Sequence, residues 1–162
     1  MIASFDSLPD QSRIWIFSST ALMDDSTRDS LLASTLVFLG EWTAHNKALT
    51  ASAKIEDGVF LVVAVDESST GASGCSIDKL HRFVKEAEMQ FSIQLLDRLT
   101  VVFPGNPPLF SHASKIKGMV DSGDLDADSL VYDTTIADLG QFRRSFRARI
   151  HQTWIRRYLQ NA

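Results

Sequence analysis

Polar and apolar positions along this chain recur with two periods, and the changes from one to the other mark its elements. Arg13-Ile-Trp-Ile-Phe17 is a short β-branched and aromatic run, the pattern of a strand. Asp24-Asp-Ser-Thr then opens a helix, with Ser26 as the expected N-cap and Asp29 three residues on. Leu31, Thr35, Phe38, Leu39 and Trp42 share one face at helical spacing. This helix is expected to end near His45-Asn46, because Asn tolerates the left-handed end position. Thr50 to Ile55 reads as a strand with small residues on one face, and Asp57-Gly58 after it is a hairpin signal. Val59 to Val65 is apolar on both faces, which suits a central strand covered on both sides. A polar, glycine-containing loop over 66–76 leads into a second helix marked by Ile77, Leu80, Val84, Ala87 and Phe91. Leu99 to Phe103 is a fourth strand, stopped by Pro104-Gly-Asn-Pro-Pro108.

The order βαββαβ predicts an α+β fold with a ferredoxin-like core, an antiparallel sheet packed by helices. A short helix near 111–120, a strand over Leu130 to Thr134 and a helical region over Leu139 to Leu159 are expected as C-terminal additions. No repeat or linker divides the chain, so residues 1–162 are expected to form one domain. In a split βαβ unit the first two strands run parallel, with the third antiparallel between them. That arrangement predicts that Trp42 to Leu49, Asp66 to Ser76 and Pro104 to Phe110 gather at one end of the sheet.

Composition narrows the class. With 44% hydrophobic residues, a chain of this length has the material for a sizeable core and is expected to bury roughly 70% of its unfolded surface. Met1 to Pro9 has neither the basic nor the apolar region of a secretory signal, and a single cysteine makes no internal disulfide. The expected location is therefore cytoplasmic, with no membrane association. Net charge is −4, but residues 139–162 hold six arginines and no acid.

The candidate chemistry lies in Gly71-Ala-Ser-Gly-Cys-Ser-Ile-Asp78, between an apolar strand and a helix, where a phosphate loop would sit. Read as a Walker A segment from Gly71, it places Ser76 at the second glycine, Ile77 at the lysine and Asp78 at the hydroxyl residue. Without the cation this is not a working ATP-binding loop. Cys75 has three readings: a small packing residue in a tight turn, a thiol activated by the helix terminus and by His45, and a metal ligand. The packing reading is favoured, because Asp66, Glu67 and Asp78 oppose the helix dipole. A ligand-binding version of the site would add Asp66, Glu67, Gly71, Ser73, Gly74, Ser76 and Asp78 to the Cys75–His45 pair. No HExxH or CxxC pattern supports a structural zinc site.

Trp42-Thr-Ala-His45, Asp66-Glu67 and Gly71 to Asp78 together resemble an uncharacterised bacterial family whose members often carry the automatic label "ABC transporter ATPase". The resemblance spans roughly residues 12–105 and implies no known activity.

Asp124-Leu-Asp-Ala-Asp128 alternates like a calcium loop, but Ser129 and Thr135 stand where an EF-hand needs glycine and glutamate. In the tail, Phe142, Phe146, Ile150, Trp154 and Tyr158 recur every four residues, which predicts a helix docked on the core. Its arginines are expected to pair with Asp121, Asp124, Asp126 or Asp128. An acidic body weighs against nucleic-acid and membrane partners. The favoured reading is a non-enzymatic binding or scaffold protein with a protein partner or a second copy of itself. The alternative is a small enzyme or ligand-binding protein built on Cys75 and His45. Cofactor and substrate are left open.

Overall fold

A computed structural model describes residues 1–159, so the last three residues of the expected domain lie outside the described residues. The fold is α+β. Its main sheet holds β1 (Arg13–Ser18), β4 (Thr50–Glu56) and β5 (Phe60–Asp66), in the order β1-β5-β4 and antiparallel throughout. The central place of β5 follows from its composition. Residues Phe60 to Val65 are all fully buried, as a strand apolar on both faces demands.

Helix α1 (Asp25–Gly40) connects β1 to β4. Its N-cap is Asp24, which accepts the Thr27 N–H at 2.7 Å, and not the expected Ser26. The helix also ends earlier than its periodicity suggested. After Gly40 comes a small hairpin, β2 (Thr43–Ala44) and β3 (Lys47–Ala48), turned by His45 and Asn46 at φ 51° and 61°. Both residues take the left-handed conformation that a two-residue hairpin requires, so the Asn signal was real but belonged to a different turn. Asp57 and Gly58, at φ 51° and 68°, turn the expected β4–β5 hairpin in the same way. Helix α2 (Gly74–Phe91) follows β5 and buries Ser76, Leu80, Val84 and Ala87.

The sheet separates two cores. On one face Phe17, Leu61, Val63 and Val65 pack against Leu31 and Leu39 of α1 and Leu80 and Val84 of α2. On the other, Ile14, Phe60, Val62 and Ala64 meet Tyr132, Leu139, Phe142 and Phe146 from the C-terminal third. A third cluster, with Val101, Phe103, Ile116, Val131, Ile150 and Ile155, is built from residues after 100 alone.

The fourth strand departs from the expected topology. Instead of joining the main sheet, β6 (Thr100–Phe103) pairs with β7 (Leu109–His112), a strand the sequence pattern did not show. The proline-rich segment between them, with a cis Asn106–Pro107 bond, is a hairpin turn and not a strand stop alone. The short helix expected near 111–120 is present as α3 (Ile116–Asp121), and the expected strand as β8 (Leu130–Tyr132).

The C-terminal helix is a second correction. Residues 139–159 divide into α4 (Leu139–Ser145), β9 (Arg147–Arg149), a 3-10 turn at Ile150–Gln152 and α5 (Arg156–Leu159). Strand β9 pairs with β8. The stripe is real as burial but not as one helix: Phe142 and Phe146 enter the second core, and Ile150 enters the third. Phe146, Arg147, Ala148, Arg149 and Ile150 alternate between buried and exposed, a period-two pattern that the fourfold spacing had masked.

Candidate functional site

The glycine loop is held together mainly by its own polar groups. Ser73 caps α2 by accepting the Ser76 N–H at 3.2 Å, and the Ser76 hydroxyl donates back to the Ser73 carbonyl at 2.8 Å. The Glu67 carboxylate accepts the Ala72 N–H at 2.9 Å, and Asp66 accepts the Ser68 N–H at 2.9 Å. Gly71 lies beside Glu67, Gly74 faces open space and Asp78 is exposed. The Trp42 indole N–H donates to the Ser76 carbonyl at 2.8 Å, which ties the 42–49 hairpin to the loop as the split topology predicts. Pro104 to Phe110 is instead committed to the β6–β7 hairpin.

Cys75 is exposed in the first turn of α2, which corrects its reading as a buried packing residue. The packing position is one residue on, where Ser76 is 1% exposed. His45 is exposed at the tip of the β2–β3 hairpin. Among the described residues, no hydrogen bond joins Cys75 to His45 and no group of three His, Cys, Asp or Glu side chains is placed to hold a metal ion.

The calcium-like segment is also used internally. Asp126 accepts the Asp128 and Ser129 N–H groups, and Asp128 pairs with Arg149 at 3.0 Å. Of the expected acidic partners of the tail, Asp128 alone pairs with a tail arginine among the described residues. Arg143 and Arg144 reach Asp10, and Arg147 reaches Asp57.

A different feature is concave and carries unused hydrogen-bonding capacity. In β1, Ile14 donates its N–H outward to the Ala137 carbonyl at 2.9 Å, and Leu139 donates to the Ser12 carbonyl at 2.9 Å. An antiparallel ladder points the main chain of alternate residues the same way, so Arg13, Trp15 and Phe17 bond to β5 while Ile14, Ile16 and Ser18 face outward. Past Ala137 the neighbouring segment leaves the strand. The Ile14 carbonyl, both main-chain groups of Ile16 and the Ser18 N–H then have no partner among the described residues. The opposite edge is covered only at its start: along β4, Met1 to Ala3 bond across Ala51, and the outward main-chain groups of Ala53 and Ile55 have no partner among the described residues.

This open edge lies in a groove of about 590 Å³. One wall is Ile77 and His81 of α2, and the other is Thr134 to Ile136. Arg98, Thr100, Thr134 and Thr135 also line a smaller pocket of about 260 Å³ beside Tyr132, Trp154 and Arg157. A further depression of about 640 Å³ lies between Ser19–Asp24 and the end of α2. There Asp24 is occupied by the Thr27 N–H, and Glu88 by the Leu95 and Leu96 N–H groups.

No family model, curated protein or solved structure matches the chain. Any functional reading therefore rests on its own geometry. Sequence reasoning missed the β1 groove because nothing in Arg13 to Ser18 records which edge the fourth strand leaves bare.

Proposed function

We propose that this chain is a non-enzymatic binding protein that seats an extended polypeptide segment against the open edge of β1. The observation that supports it is the row of unpartnered main-chain groups from Ile14 to Ser18, set in a groove. Unpaired strand edges recruit strands, because each added residue recovers hydrogen bonds that an isolated edge makes only to water. The unpartnered stretch suits a short occupant, about four residues at roughly 3.3 Å each. Walls on both sides of β1 favour a single flexible strand over a broad globular surface. Ser76, Ile77 and Asp78 at the three Walker A positions weigh against an ATPase.

Amide hydrogen exchange tests this directly. In the free protein the Ile16 and Ser18 amides are expected to exchange much faster than those of Trp15 and Phe17. Peptides selected by display for binding to the native protein are expected to slow exchange at Ile16 and Ser18. Protection of Ile16 before any peptide is added, or selected peptides that leave both amides unaffected, would overturn the reading.

A further inference from the structure

We infer that the segment seated on β1 is acidic; this rests on the strand-binding reading above. The groove and the neighbouring pocket share Arg98, Thr100, Thr134 and Thr135, and this paired trough is lined by Arg13 on the groove side, Arg157 on the pocket side and Arg98 on both. Among the described residues its only lining carboxylate is Asp97, which already accepts the Leu99 N–H at 2.9 Å. The trough is therefore positive in a chain whose net charge is −4.

The pairing of the arginines sharpens the contrast. Arg143, Arg144, Arg147 and Arg149 all reach carboxylates of the body. The three trough arginines reach none among the described residues. Arg13 lies over the Trp15 ring at 4.8 Å. Arg157 lies over Trp154 and Tyr158 at 5.2 and 4.8 Å, with one N–H donated to the Tyr158 hydroxyl. Stacking of this kind orders a guanidinium while leaving most of its N–H groups for an incoming anion. A carboxylate is a match for that fork.

The geometry assigns separate roles to the parts of the trough. Ile16 would exchange main-chain hydrogen bonds with the occupant and set its register. Side chains on alternate residues of the occupant would point to opposite faces of the sheet. Carboxylates on the portion beyond the edge would meet Arg98 and Arg157. Nucleic acid would also find arginines and aromatic rings here, but it has no use for an unpaired strand edge, so a polypeptide is the favoured ligand.

Three fluorescently labelled octapeptides test this: valine alternating with glutamate, with glutamine and with lysine. Binding is read by anisotropy to the whole chain, to Arg98→Gln/Arg157→Gln and to Ile16→Pro. Proline is tolerated on a strand edge where the N–H faces outward, so Ile16→Pro deletes a donor without breaking the ladder. The glutamate peptide is expected to bind about tenfold more tightly than the glutamine peptide. The double arginine variant should remove that difference and leave the glutamine peptide unchanged. Ile16→Pro should weaken both.

Equal binding of the glutamate and glutamine peptides would overturn the acidic inference while leaving the strand reading intact. Tightest binding by the lysine peptide would do the same. Binding of none of the three would sink both. Self-association that Ile16→Pro abolishes would name a second copy as the occupant and overturn the acidic peptide. Tighter binding of a labelled dodecathymidylate, lost in the arginine variant, would overturn it in favour of nucleic acid.

Discussion

Asp57 shows how one side chain holds distant parts of the chain together. It occupies a left-handed position in the β4–β5 turn, and its carboxylate accepts from the Tyr132 hydroxyl and from Arg147. Burial alone would raise its pKa, but the hydrogen bonds from Tyr132 and Arg147 outweigh that and hold the carboxyl below its ordinary value. Tyr132 is pushed up to about 12 by burial, by its hydrogen bond to Asp57 and by the nearby negative charge. A raised folded-state value means that the contribution of Tyr132 is complete below its ordinary pKa of 10.0 and is lost as pH rises towards about 12. Tyr132→Phe is therefore expected to cost about 1–2 kcal/mol at pH 8. Urea titrations should find the gap between wild type and variant closing from pH 10 to 12. Asp57 works in the opposite direction: its contribution is lost as pH falls below the ordinary carboxylate range and through its lowered folded value. A gap unchanged across the alkaline range would refute the coupling.

At the scale of elements, β1 has two kinds of outward-facing residue. Ile14 donates its N–H to Ala137, whereas the Ile16 N–H is unpartnered among the described residues. Proline at either position removes a donor that does not serve the β5 ladder, but at Ile14 it also orphans a carbonyl and removes a fully packed side chain. Ile14→Pro is expected to destabilise by at least about 1 kcal/mol more than Ile16→Pro, measured by chemical denaturation. Equal costs would mean that the edge is not divided as described. The elements with one strong period, α2 and β5, lie close to where the sequence pattern puts them. The region from 139 to 159 does not. There a fourfold aromatic spacing and a period-two alternation overlap at Phe146 and Ile150, and pairing with β8 selects the second. Spacing on one segment cannot decide such a contest, since the β8 partner lies some distance away in the sequence.

Across the whole molecule, the C-terminal third covers one face of the main sheet. Leu139, Phe142, Phe146 and Ile150 are all buried, each contributing on the order of 1.5–3 kcal/mol. Together they approach the full stability of a typical domain, about 5–15 kcal/mol. Removal of residues 139–162 is therefore expected to abolish cooperative unfolding and to expose the Phe60–Val62 face to a hydrophobic dye. A sharp thermal transition in the truncated chain would contradict this. The sequence by itself determined the main helices and strands up to Phe103 apart from the β2–β3 hairpin, the burial of β5, the Asp57-Gly58 turn and the lack of the Walker A cation, because each depends on residues adjacent along the chain. Tertiary structure alone decided that Cys75 faces solvent, that Arg143, Arg144, Arg147 and Arg149 pair with carboxylates of the body while Arg157 reaches none among the described residues, and that β6 turns to β7 and leaves β1 open. Those outcomes follow from competition between segments far apart in sequence for the same edge, face or charge, and no local pattern records which competitor wins.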